Sequence, residues 1–272
     1  MPRMKGAHPY SGVTASLATK HEKEKVVAPI FAHLEIALHI PSVDTDELGT
    51  FSGEIPRIGT PREVVVKKAR MGMKASGLPY GVASEGSIGP DVIVPFINSD
   101  IECIAWVDDE LGIEIVEFHR SLDIVAVTSE VLSEEFLTRA SFPEHSLIVK
   151  GQRSVVKGIN DRLQLEKIIA ELGPKVVIES DLRAHHSPSR RRNIAVVAER
   201  LVARLSNLCS ECRCPGFGVV ENIYGLPCSE CGTLNERAVR GEVHGCAKCE
   251  NRIEVVGKRT YIEPAECLVC NP

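Results

Sequence analysis

The stretch Glu63–Ser87, EVVVKKARMGMKASGLPYGVASEGS, reads as a helix, a Gly-Leu-Pro turn, a short strand and an acidic loop containing glycine. Thr60 offers an N-cap hydroxyl, Pro61 takes the first helical position and Glu63 the third, so the helix is predicted to begin there. Val64, Val65, Lys68, Ala69 and Gly72 return to one face at helical spacing, and Gly77 followed by Pro79 ends the helix. Tyr80–Ser84 is predicted as a short strand of small and β-branched residues, with Glu85, Gly86 and Ser87 in a loop at its carboxyl end. Ligands of open α/β sheets bind at that end, so the stretch reads as half of a phosphate-and-metal site.

Toward the N-terminus, residues 1–12 read as a loose lead-in, Val13–Thr19 as a buried strand and Leu34–Ile40 as a second strand. Between them Lys20–Leu34 is predicted as a helix, with Val26, Val27, Ile30, Phe31 and Leu34 forming an apolar stripe. A polar loop over 44–60 carries Asp44, Asp46, Glu47 and Arg57 into the opening helix. Toward the C-terminus, Glu102–Val107 and Ile113–Phe118 read as a hairpin, Leu122–Val127 as another strand and Ser133–Ala140 as a short helix. Ser146–Val149, Asp161–Leu172 and Val176–Ile178 read as strand, helix and strand. Ser189–Leu205 is the closing helix, with Ile194, Val197, Ala198, Leu201 and Leu205 inward and Arg191, Arg192 and Arg200 elsewhere. This alternation predicts an α/β domain with a mixed sheet in three layers over residues 1–206, joined at Ser206-Asn207 to a cysteine-rich module over 207–272.

The 272 residues are 43% hydrophobic, enough for a packed core, and the net charge of −5 lacks the basic footprint that drives binding to a nucleic-acid backbone. No leader-like segment and no apolar run of about 18 residues is present, so a cytosolic protein outside membranes is expected.

Nine of the ten cysteines lie beyond residue 208. Cys209-x2-Cys212 and Cys228-x2-Cys231 are separated by fifteen residues, and Cys246-x2-Cys249 and Cys267-x2-Cys270 by seventeen. Each pair places two thiolates on one tight knuckle, and two knuckles make the S₄ shell that suits Zn²⁺. Two tandem zinc ribbons with structural zinc are expected, although a cross-braced pairing of the first knuckle with the third satisfies the same spacing. Cys214 and His244 stand by as substitute ligands. Between Asn207 and Pro272, seven Lys or Arg face nine Glu, and two Zn²⁺ with eight thiolates would add about four negative charges. Docking of a protein partner or a second copy is therefore expected of this module, in preference to nucleic acid.

Glu63, Lys68-Ala69, Lys74, Gly77-Leu78-Pro79 and Glu85-Gly86 together resemble the core of the inosine/xanthosine triphosphate pyrophosphatase and Maf-like superfamily. The whole chain, tail included, is similar to an uncharacterised bacterial family that joins such a domain to a cysteine-rich tail. The superfamily resemblance implies hydrolysis of a nucleoside triphosphate to monophosphate and pyrophosphate, with Mg²⁺ or Mn²⁺ held by carboxylates. It aligns Glu63 with a metal-binding glutamate, Lys68 with a superfamily lysine and Thr19 with a threonine after the first strand. Lys20 and His21 replace the small residue and asparagine that follow that threonine, and Ala83 and Ser84 stand where the main enzymes carry an aspartate pair.

Read from the residues themselves, Lys20 and Lys23 supply charge at a helix start that favours anions. Glu63 serves equally as the acid of a capping box, and Lys68 as a partner in an exposed Glu–Lys pair. Glu85 is the foremost carboxylate, and Ser87 offers a hydroxyl. A second cluster, Glu179–His186 with Arg190, follows a predicted strand end. There Arg183 and Arg190 could clamp a phosphate, and His185 could act as a base; an ion-pair network serves as well. Cys103, in an apolar strand, reads as a core residue. The expected function is a metal-dependent hydrolase of a nucleotide or related phosphoanhydride. A non-catalytic zinc-ribbon adapter or ligand-binding protein and a nucleic-acid-modifying protein are the alternatives.

Overall fold

A computed structural model describes residues 8–48 and 59–272; residues 1–7 and the loop segment with Arg57 lie outside the described residues. The chain divides into two compact units, Met1–Glu110 with Glu114–Val202, and Leu111–Ile113 with Ala203–Pro272.

The first unit is built on a five-stranded mixed sheet in which β1 (Thr14–Ala18) runs parallel to both β2 (Ala37–His39) and β3 (Tyr80–Pro90). β4 (Asn98–Asp108) pairs antiparallel with all of β3, from Tyr80 opposite Asp108 to Pro90 opposite Asn98, and β5 (Ile113–Ser121) forms the edge. That pairing corrects one expectation: Glu85, Gly86 and Ser87 lie within β3, because β4 supplies ladder partners well beyond Ser84. The helix beginning at Thr60 forms as expected. Between β1 and β3, α1 (Glu24–Phe31) precedes β2, and α2 (Pro61–Ser76) opens on Thr60 with a complete capping box and closes at Gly77 in the left-handed region.

α2 covers one sheet face, where Val65, Val66, Ala69 and Met73 pack on Ala83, Cys103, Ala105 and Val107. Gly72 permits this approach, since a Cβ there would lie 2.6 Å from Ser16 Oγ. On the opposite face Trp106 stacks among Tyr10, Phe31 and Tyr80, with ring centroids 4.6, 6.2 and 5.7 Å away. Tyr10 is thus a core residue, 1% exposed and hydrogen-bonded to Asp108 Oδ2 at 2.8 Å, and no part of a loose lead-in. The first helix starts at Glu24, later than expected. Residues 21–23 form a turn in which His21 and Glu22 both adopt positive φ (63° and 58°), which a helix cannot accommodate.

The same unit carries a second, antiparallel sheet of β6 (Thr128–Ser129), β7 (Leu147–Lys150), β8 (Val155–Ile159) and β9 (Val177–Ser180), ordered β6-β9-β7-β8. The expected strand over Leu122–Val127 is irregular backbone leading into the two-residue β6. The expected strand, helix and strand are present as β7, α4 (Arg162–Leu172) and β9, with β7 and β9 antiparallel. The unforeseen β8 reverses the chain before α4, so the chain re-enters from the other end. Phe136 and Leu137 of α3 (Glu134–Arg139) join Leu165 and Ile168 of α4 in covering this sheet. α5 (Pro188–Ser206) buries Ile194, Val197, Ala198, Leu201 and Leu205, while Arg191, Arg192 and Arg200 are exposed, as the periodicity predicts. Among the described residues no helix is long and apolar enough to cross a membrane.

The second unit is a three-stranded antiparallel sheet, β10 (Gly218–Pro227), β11 (Leu234–Gly245) and β12 (Arg252–Val256). Few apolar side chains are buried in it; Leu226 and Ile262 gather with Cys228 and Cys267.

Candidate functional site

β1 ends at Ala18, opposite Ala83, whereas β3 continues. The edge of β3 beyond Ala83 therefore has no β1 neighbour, and a pocket opens there at the carboxyl end of the parallel strands, the usual place for a ligand. Its walls are Ala18–His21, Lys23, Thr45, Lys68, Ser84–Gly86 and Arg190.

Four cations converge on this pocket, and their charges are only partly matched. Lys20 Nζ lies 2.5 Å from Asp44 Oδ1, and Lys68 Nζ lies 2.5 Å from Glu85 Oε2. Arg190 donates from Nε to Glu102 Oε1 at 2.5 Å and from Nη1 to the Leu182 carbonyl at 2.8 Å. Lys23 Nζ hydrogen-bonds Ser84 Oγ at 3.1 Å, a neutral partner. Burial, and next the nearby Arg190 charge, lowers the Lys23 pKa to about 8. At neutral pH the ammonium is retained, but poorly hydrated, which favours an incoming anion. Gly86 makes the arrangement fit: a Cβ there would lie 2.4 Å from Glu102 Oε1 and 2.5 Å from Arg190 Nη2.

Of the residues singled out in the sequence, Thr19, Lys20, Lys23, Lys68, Glu85 and Arg190 thus line one pocket. Four others stand apart from its lining. Glu63 is occupied by the cap, its Oε2 accepting from Thr60 N at 2.8 Å and Thr60 Oγ1 at 3.1 Å. Ser87 is an exposed residue of β3. Arg183 is folded onto the buried Asp181, donating to its two oxygens at 2.9 and 2.5 Å, so it serves an internal ion pair. His185 stands behind the pocket wall, stacked on His21 with ring centroids 5.2 Å apart. Burial holds its pKa below the ordinary histidine range. Glu85, whose place after a predicted strand end implies a carboxylate exposed to ligand, is 7% exposed, and Lys68, read as half of an exposed pair, is 8% exposed, because each neutralises the other between α2 and β3.

Thr45, Ser84 and Glu102 escaped the sequence reading. Glu102 carried a usable signal, a carboxylate in the otherwise apolar run Ile101–Val107. Cys103 is a core residue, its thiol pushed up to about 12 chiefly by burial.

In the second unit the eight knuckle cysteines form two groups, Cys209, Cys212, Cys246 and Cys249, and Cys228, Cys231, Cys267 and Cys270. The sequential pairing gives way to the interleaved one. β10 and β11 are antiparallel, so the chain entering β10 and the chain leaving β11 lie together at the Gly218–Gly245 end. The Cys228 knuckle sits at the far turn, about 30 Å away for ten residues of strand. Sγ–Sγ separations are 3.7 and 3.6 Å in the first group and 3.8 and 3.6 Å in the second. A tetrahedron with Zn–S bonds of about 2.3 Å has edges of about 3.8 Å, so both groups could hold zinc. Two of these sulfurs also have hydrogen-bond donors: Asn251 Nδ2 lies 3.3 Å from Cys209 Sγ, and the Lys248 and Cys249 amides lie 3.3 and 3.4 Å from Cys246 Sγ. Cys214 and His244 belong to neither group; Cys214 is buried and His244 lies 3.1 Å from Glu242. Outside the cysteines, no group of three or more metal-ligating side chains converges among the described residues.

Residues 68–272 match the model of a family described as "Domain of unknown function (DUF6671)", and the chain belongs to that family. No curated protein matches it. A solved nucleoside-triphosphatase, a dITP/XTP pyrophosphatase from Mycobacterium abscessus, is similar at 18% identity over 39% of this chain and 70% of that one, with a TM-score of 0.28. A likeness at that score carries no weight for fold or activity.

Proposed function

We propose that this member of the family binds the phosphate groups of a nucleoside triphosphate or related phosphoanhydride in the β1–β3 pocket and hydrolyses it with the help of a divalent cation. The observation that carries this reading is the convergence of Lys20, Lys23, Lys68 and Arg190 on one pocket beside the Thr19 hydroxyl. Such a site neutralises charge on transferring phosphoryl oxygens, which is most of what the protein must supply in phosphoryl transfer. Glu85 is the pocket's carboxylate. Mg²⁺ or Mn²⁺ commonly binds through one or two carboxylates plus substrate phosphates, and one protein ligand fits that pattern. Release of Glu85 from Lys68 when phosphate engages the lysine would free it for the metal or for orienting a water.

The two cysteine groups support structural zinc. Closed S₄ shells leave no position for substrate, so they are assigned to holding the second unit folded and to docking a protein partner or a second copy. Thiolate ligation fits a reducing, cytoplasmic compartment. The excess of Glu over Lys and Arg in that unit speaks against nucleic acid.

The test is release of pyrophosphate and phosphate from standard and deaminated nucleoside triphosphates with Mg²⁺ or Mn²⁺, wild type beside Glu85→Ala and Lys23→Met. Metal-dependent turnover lost in both variants is expected. Binding without turnover in wild type would favour the ligand-binding alternative, and neither binding nor turnover would remove the phosphate reading.

A further inference from the structure

Asp100 and Glu102 stand two residues apart on β4, so their side chains share one face of the sheet. Both are 0% exposed, and they lie within hydrogen-bonding reach of each other. One oxygen of each is satisfied: Asp100 Oδ2 accepts from Asn193 Nδ2 at 2.9 Å, and Glu102 Oε1 from Arg190 Nε at 2.5 Å. The remaining two, Asp100 Oδ1 and Glu102 Oε2, have no donor among the described residues. Two ionised carboxylates here would repel one another across a dry interior with one guanidinium to share. A single proton gives the pair a donor of its own and leaves one negative charge beside Arg190 and the nearby Lys23 ammonium.

We propose that Asp100 and Glu102 share one proton and act as a positioning pair, holding the Arg190 guanidinium over Gly86 so that it meets a substrate phosphate group. The role of the pair rests on the phosphate reading of the pocket, whereas the shared proton does not. The surroundings agree. Burial, and next the Glu102 charge, raises the Asp100 pKa to about 7, so the proton stays on below neutrality. From α5 the facing groups are Arg190 and Asn193, and from the turn before α1 it is Lys23, whose ammonium interacts with Glu102. From β5 it is His119, whose pKa burial lowers, so it adds no charge near neutrality. On β3 the residue opposite Asp100 is the uncharged Ile88. Above neutrality a second buried negative charge appears beside Arg190 and draws the guanidinium away from the pocket.

The full chain is compared with Asp100→Asn and Glu102→Gln by two readouts. Infrared difference spectra should show a protonated buried carboxyl in wild type that vanishes around pH 7 and is absent from Asp100→Asn. Tripolyphosphate binding, taken as a variant-to-wild-type ratio at each pH, cancels the titration of the probe and of Lys23. In Asp100→Asn the amide donates to Glu102 in place of the proton, so its affinity should equal wild type at low pH and exceed it on the order of tenfold above neutrality. Glu102→Gln should bind more weakly throughout. A missing carboxyl band with a flat ratio overturns the proposal. A carboxyl band without tripolyphosphate binding in any form confirms the shared proton and overturns both the phosphate reading and the pair's role in it.

Discussion

Lys68 and Glu85 illustrate why a buried ion pair does different work from an exposed one. With both side chains about a tenth exposed, removing one partner strands a charge in the interior. Lys68→Met is expected to lower stability by about 3–5 kcal/mol, and Lys68→Met with Glu85→Leu by clearly less, as chemical denaturation would measure. Asp100 gives a pH prediction of definite sign. Its folded pKa is raised to about 7, so the native state holds a proton that the unfolded chain gives up at the ordinary carboxylate pKa. Stability therefore falls as pH rises from that ordinary value through about 7. Asp100→Asn should flatten that fall, and thermal melts across pH would show it. Lys23, lowered to about 8, loses its charge above that pH, so affinity for phosphate should decline further there, and in the Asp100→Asn background Lys23→Met should remove that part of the decline. Six of the pocket residues were legible as charged or hydroxyl side chains, five of them near predicted strand ends and Lys68 on the predicted helix. Glu102 was not recognised, because a lone carboxylate in an apolar strand reveals its partner only when α5 folds across it.

At the scale of elements, α2 was the most legible part of the chain, since the cap, the apolar face and the stop are all local chemistry. Thr60→Ala should cost about 1 kcal/mol of stability by unmaking the cap, measured by denaturant unfolding. Glu63→Gln separates the two readings of that residue: unchanged turnover is expected of a capping acid and lost turnover of a metal ligand. β3 was less legible. Glu85, Gly86 and Ser87 have the composition of a loop, yet β4 carries them as strand, and tertiary pairing overrides propensity. Gly86→Ala would crowd Glu102 and Arg190 and is expected to lower both melting temperature and phosphate affinity. The antiparallel course of β7 and β9 was hidden for a similar reason: β8, with Gly158 at φ 76° and a short apolar run, gives little strand signal.

For the whole molecule, four CxxC knuckles were plain in the sequence, but their partnership was not, because spacing is equally compatible with sequential and interleaved closure. The β10–β11 ribbon decides it by carrying the second knuckle to its far end. Substituting Cys209 and Cys249 together should remove one metal and spare the other, whereas Cys209 with Cys228 should damage both sites; metal content by mass spectrometry distinguishes these outcomes. Strong chelation should unfold the second unit, which buries little apolar surface of its own, and circular dichroism would record the loss. The central claim concerns the other unit, and the most direct measurement is a crystal structure of the protein with Mg²⁺ and a non-hydrolysable nucleoside triphosphate. The phosphates are predicted to lie against Lys20, Lys23, Lys68 and Arg190 with the metal at Glu85. Phosphates bound elsewhere, with this pocket closed to them, would contradict it.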